Sequence, residues 1–276
     1  MRIIDFDAPF HRYLTDWMRE NAGRFRNAEA MEEQAGEIYL RFINRRADWL
    51  DGRTPADYFA AFEDADELVR ALAEYEAAGV SVPELMLSRI VQLGEPSVKP
   101  LLALVRDEQA GEAVRQTALN LLIELDTTEP MDDCFRLIDR AEADDALAEV
   151  ASELLQNLGA AAVPGMLERL DCANEHALAI YLDLLCNFPG DERIYTYTMR
   201  EFLRRHDRRA LFASLLSRLG DARALEALGR VIQMEDLGYL DYLEIANAIE
   251  ALGGEPGARD RDFTGDPYYE SLARMQ

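Results

Sequence analysis

Several residue types are scarce in this chain, and each shortage excludes something. Only three of its 276 residues are cysteine (Cys134, Cys172, Cys186), an odd number with no close pair. A disulfide framework is therefore not expected, and a reducing, cytoplasmic setting is. The histidines His11, His176 and His206 are scattered, with no pair one helical turn apart to grip a metal. No apolar stretch approaches the ~20 residues that cross a bilayer. Charges and a proline break the N-terminal segment MRIIDFDAPFHRYLTDW, so a secretory signal is not expected either. A phosphate-binding glycine loop, a catalytic-triad signature and a metal motif are also missing. These gaps leave no ground for an enzyme, a cofactor or a metal.

Positive charge is the other shortage. Lys99 is the only lysine, and 29 basic residues face 53 acidic ones for a net charge of −24. Such a field repels nucleic-acid backbones and anionic membranes and favours a basic partner.

What the chain does contain is a period. LSRIVQLG reaches Gly94, SELLQNLG Gly159, ASLLSRLG Gly220 and NAIEALGG Gly253, and the weaker copies LNLLIELD and LDLLCNFP place Asp126 and Pro189 between them. Successive joints lie 32, 33, 30, 31 and 33 residues apart, which is an internal repeat. Glycine just past a helix end adopts the left-handed conformation that caps the last carbonyls. Counted backwards from each joint, positions −8, −5, −4 and −1 form an apolar stripe at helical spacing. Position −4, for example, holds Ile90, Leu122, Leu155, Leu185, Leu216 and Ile249. A second helix follows each joint, with Val98, Leu101, Leu102 and Val105 after Gly94 and Val163, Met166, Leu167 and Leu170 after Gly159. Pro100 and Pro164 fall in its first turn, where a missing N–H costs little. Two helices of this length cannot bury their own apolar faces, so they must stack on neighbours.

The segments LGEPSVKPLLALV, LGAAAVPGMLERL and LGDARALEALGRVI resemble the short HEAT-like repeats of bacterial HEAT proteins, phycobilin lyases among them, over roughly residues 81–254. The resemblance implies an all-α fold, a right-handed α-α superhelix of about five helix pairs. It also implies that one helix of each pair lines a concave surface where partners dock. Residues 1–80 lack the period and are expected to form an N-terminal helical cap, and 255–276 a tail that caps the last repeat.

In the cap, Asn27 is expected to start the helical run AEAMEEQAGEIYLRFINRRADWL, Thr54-Pro55 another helix, and Ser81-Val82-Pro83-Glu84 a capping box. Trp17, Phe25, Tyr39, Phe42, Trp49, Tyr58, Phe59 and Phe62 either cover the first repeat or line a groove for a partner. In the tail, Asp260, Asp262, Thr264, Gly265 and Asp266 mimic the start of a calcium loop, but Ser271 stands where its closing glutamate belongs. Phe263, Tyr268 and Tyr269 are expected to fold over the last repeat.

Two surface features are candidate binding sites. Position −6 is polar in all six copies (Ser88, Asn120, Glu153, Asp183, Ser214, Asn247), and position −2 in five (Gln92, Glu124, Asn157, Asn187, Arg218), with Ala251 breaking the column. Four residues apart, the two positions share the helix face opposite the stripe and form a polar, acidic ladder. The second feature is the basic run REFLRRHDRRALF, with Arg200, Arg204, Arg205, Arg208 and Arg209, suited to an acidic peptide or a phosphate group unless it neutralises neighbouring acids.

The leading expectation is a non-enzymatic scaffold whose ladder holds a protein or peptide of basic character. The resemblance implies an alternative, a bilin-lyase-like handler of a small ligand or cofactor, with Cys172 or Cys186 as nucleophile; neither cysteine has a sequence cue for thiolate stabilisation. A HEAT-type DNA-binding protein or DNA glycosylase needs a positive concave face, whereas five of the six −2 residues are acidic or neutral.

Overall fold

A computed structural model describes residues 1–21, 34–257 and 261–274. Among these residues the chain is all-α, with sixteen α-helices, short 3-10 turns and no strand. Packing divides it into two compact units, Met1–Cys134 with Glu149–Asn157, and Phe135–Ala148 with Leu158–Gln276. The first unit holds α1 (Asp7–Asn21), α2 (Ala35–Ile43), α3 (Pro55–Ala60), α4 (Ala65–Ala78), α5 (Glu84–Leu93), α6 (Val98–Arg106) and α7 (Glu112–Glu124). Two helices, α8 (Met131–Asp139) and α9 (Ala146–Leu158), run from one unit into the other. The second unit continues with α10 (Val163–Arg169), α11 (Glu175–Leu185), α12 (Glu192–Arg204), α13 (Arg209–Leu219), α14 (Leu225–Val231), α15 (Tyr239–Ala251) and α16 (Pro267–Ala273).

The expected seam is the core. All six −4 residues are buried, and so are the six at −8: Met86, Ala118, Ala151, Tyr181, Phe212 and Ile245. Each large side chain buried there contributes about 1.5–3 kcal/mol. Helices of successive pairs lie side by side through this seam, α5 on α7 and α13 on α15, while α6 on α7 and α12 on α13 link one pair to the next. The stripe is narrower than expected. Leu93, Leu125, Leu158, Phe188, Leu219 and Leu252 at −1 are only half-buried, because the chain turns out of the helix there. At −5 the first copy carries Arg89, whose Nε donates to the Phe62 carbonyl at 2.9 Å.

The joints also explain the weaker copies. Gly220 sits at φ 69°, and Asp126 takes the same left-handed conformation at φ 50°. A short polar side chain tolerates it better than most. At Pro189 the left turn moves one residue on, to Gly190 at φ 138°.

Local signals place several helix starts. Thr54 Oγ1 accepts from the Asp57 N–H at 3.0 Å with Pro55 first in α3. Asn174 caps α11 through the N–H groups of His176 (2.8 Å) and Ala177 (2.9 Å). The capping box at Ser81–Glu84 does not form: Pro83 is the residue before α5, no side chain caps that helix, and Ser81 lies two residues too far out. Asn27, Phe25 and Asp260 lie outside the described residues.

Aromatic packing builds the N-terminal segment around two residues that the sequence pattern did not single out. Phe6 meets Trp49 and Phe59, each at 5.2 Å between ring centroids, and Phe10 meets Phe42 at 5.2 Å and Tyr39 at 5.3 Å. The buried Tyr75 hydroxyl ties the chain start down, accepting from the Ile4 N–H (3.3 Å) and donating to the Ile4 carbonyl (3.2 Å).

At the other end, aromatic residues of the tail pack onto α15. Phe263 and Tyr269 both reach Tyr239 at 5.0 Å. Asp266 caps two helices at once: Oδ1 accepts from the Tyr268 and Tyr269 N–H groups (both 3.0 Å) and Oδ2 from the Tyr239 N–H at 3.1 Å. The N–H groups of Tyr269, Tyr239 and Tyr268 hold this carboxyl below its ordinary value of 3.8. A depressed carboxyl stabilises the fold above its ordinary value and loses that contribution as the pH falls through the lowered one.

Two outcomes follow from these joints and caps. Apart from chain neighbours and local helix backbone, no atom of the described residues lies within 4 Å of a Cβ built on Gly220 or Gly229, so backbone conformation decides the effect of alanine. Gly220→Ala should cost about 1 kcal/mol, whereas Gly229→Ala, inside α14, should gain up to ~1 kcal/mol, read as opposite shifts of the urea-unfolding midpoint. Asp266→Ala should speed amide exchange at Tyr239, Tyr268 and Tyr269 at least tenfold at pH 7, and wild type should approach the variant below pH 3.8.

Candidate functional site

The seam sets the orientation of the ladder. With −8 and −4 buried, positions −6 and −2 point away from the packed face. All six −2 residues are exposed, Ala251 included, and Asn120, Glu153 and Asn247 are exposed at −6 while Ser88, Asp183 and Ser214 are half-buried.

The two units use this face differently. In the first, Ser88 and Gln92 on α5, Asn120 and Glu124 on α7, and Glu153 and Asn157 on α9 make no side-chain hydrogen bond or ion pair among the described residues. In the second, Arg218 on α13 closes part of the ladder on itself. Its Nη2 donates to Asp183 Oδ1 at 2.8 Å, and its Nη1 to the Asp183 carbonyl at 3.0 Å and to Asn187 Oδ1 at 3.4 Å. Ser214 and Asn247 lie on the same face of that unit, on α13 and α15.

The basic run is largely consumed internally. Arg204 and Arg205 both pair with Glu175 on α11, at 2.7 and 3.0 Å, and Arg205 also holds Asp207 at 2.9 Å. Arg200 pairs with the buried Glu201 at 2.8 Å. The Arg208 guanidinium lies 3.5 Å from His176 Nδ1. Arg209 is buried, and its Nε has no hydrogen-bond partner among the described residues. Arginines clustered in sequence thus join α12 and the turn after it to α11.

The cysteines divide by burial. Cys134 and Cys186 are buried, and desolvation pushes their thiols up to about 12 and about 11. A thiol so shifted supplies negligible thiolate at neutral pH. Cys172 is exposed. In the tail, Asp262 accepts from the Thr264 N–H at 2.9 Å and hydroxyl at 2.6 Å, so both described acids of the calcium-like segment act as turn and helix caps. No cluster of three metal-ligating side chains occurs among the described residues.

Of the aromatics expected in the N-terminal segment, Tyr39 and Phe42 line a cavity there. It has a volume of about 290 Å³, and Phe6, Phe10, Asp7 and Glu84 also line it. Its size sits at the lower end for small-ligand pockets, roughly 300–1,000 Å³. Phe6 and Phe10 escaped the sequence pattern because they lie in a short charged segment with no periodic neighbours.

The burial contrast predicts thiol behaviour. In the folded protein at pH 7.5, an aromatic disulfide reagent should label one cysteine rapidly and Cys134 and Cys186 only after denaturant is added. Cys172→Ser should abolish the fast phase; a fast phase that survives it would place a reactive thiol at a buried position.

Among the described residues, no helix is long and apolar enough to cross a membrane. Compared with known proteins, the chain matches no family model, and no curated protein matches it in sequence.

Proposed function

We propose that this chain is a cytoplasmic HEAT-like solenoid, a right-handed α-α superhelix that binds a protein or peptide of basic character without transforming it. The observation that carries the proposal is the unpartnered polar face of α5, α7 and α9. Six polar residues, two of them acids, recur there at repeat spacing and none is used to hold the fold. Elsewhere the chain pairs such groups: Arg218 binds Asp183 and Asn187 at the equivalent positions of the second unit. A face left unpaired in a chain of net charge −24 favours a cationic partner through steering and through direct carboxylate pairing. The repeat period, the buried −4 and −8 columns and the left-handed joints support the solenoid.

Calorimetric titration with a twenty-residue arginine- and lysine-rich peptide at low salt tests this reading. Glu124→Lys with Glu153→Lys should weaken binding at least tenfold. Glu142→Lys with Glu235→Lys, an equal change of net charge at exposed positions off the ladder, should weaken it less than threefold. Equal losses in the two variants would reduce the ladder to ordinary solvated surface.

A further inference from the structure

The arginines that remain free are concentrated where the sequence showed no basic cluster. Residues 1–62 carry nine arginines against eleven acids, while the remainder has 20 bases against 42 acids. Among the described residues, the guanidiniums of Arg12 on α1 and of Arg45 and Arg46 just after α2 make no hydrogen bond or ion pair, and all three residues are exposed. They line one cavity of about 320 Å³ together with Tyr13, Trp49 and Asp48. Other rings hold the aromatic wall: Trp49 packs edge-on against Phe6 at 5.2 Å, and Tyr13 packs against Phe42, which also lines the cavity, at 5.6 Å. The Arg45 guanidinium stands 5.9 Å from the Tyr13 ring centre.

We propose that this cavity binds a phosphate monoester carried on a flat ring, with the guanidiniums of Arg12, Arg45 and Arg46 around the phosphate and the ring against Trp49 and Tyr13. Guanidinium matches phosphate in geometry as well as charge, and aromatic faces take a planar body. Charge selects the dianion. Asp16, also on the wall, is held by Arg19 at 3.1 Å, so three guanidiniums are opposed by the Asp48 carboxylate alone. The surplus of about two positive charges balances the roughly two negative charges of a phosphate monoester and exceeds the single negative charge of a carboxylate.

The experiment follows tryptophan fluorescence while phenyl phosphate, benzoate or a short phosphotyrosine peptide is added at 50 mM salt. Phenyl phosphate should give a saturable change, at least tenfold tighter than benzoate and lost in Trp49→Phe. Arg45→Gln with Arg46→Gln should weaken it at least tenfold, and Arg12→Gln alone at least threefold, with helical circular dichroism unchanged. A phosphopeptide bound tenfold tighter than phenyl phosphate identifies a protein-borne phosphate, and comparable binding a free small molecule; both support the site. No saturation by 10 mM, equal binding of benzoate, or binding that folded arginine variants leave unchanged would overturn it.

Discussion

Everything in this chain depends on one geometric shortage: a helix pair of about 31 residues has too little surface to bury its own apolar face. The columns at −8 and −4 answer it: they are buried in every copy, and within the units the helices that carry them meet, α5 with α7 and α13 with α15. The joints are subordinate to that requirement. Glycine, aspartate and a displaced glycine after proline all serve, provided the chain turns left and the next helix starts in register.

Polar ties repeat the same spacing on the helices and turns that follow the joints. Arg106 grips the buried Asp133 through two hydrogen bonds of 2.8 and 2.7 Å. Arg169 meets Asp139 at 3.2 Å, and Arg223 meets Glu192 at 2.8 Å. Partners lie about one repeat apart in sequence, because equivalent positions of adjacent pairs face each other. Exposed pairs of this kind contribute at most about 1 kcal/mol each. Their larger effect is on charge, since they decide which of the many acids and few bases remain available. The first unit keeps its ladder acids and its Arg12–Arg46 cavity unpaired, and both proposed binding sites lie there.

Close packing is visible even where the periodic pattern is silent. Gly165 has no room for a side chain, because a Cβ there would stand 2.5 Å from the Phe135 ring. Arg169 covers the same ring at 4.0 Å, and the Tyr181 hydroxyl donates to Asp139 at 2.7 Å. Burial, together with the Asp139 bond, raises the Tyr181 hydroxyl well above its ordinary value, so it stays a donor. A seam residue thus becomes a polar anchor, which only its surroundings reveal.

The amino-acid sequence by itself determined the all-α character and the buried −8 and −4 columns. Those follow from local rules: period, capping residues and the need to hide apolar surface. It also marked the face where the ladder lies, since a helix face opposite a buried stripe is exposed by geometry. Tertiary structure alone decided which charged groups are free. The run from Arg200 to Arg209 looks like a binding patch in sequence, yet Glu175, some thirty residues away, holds two of its members. Arg12, Arg45 and Arg46, too far apart to register as a cluster, converge on one cavity. Charge pairing depends on distance in space, and a linear pattern records distance only along the chain.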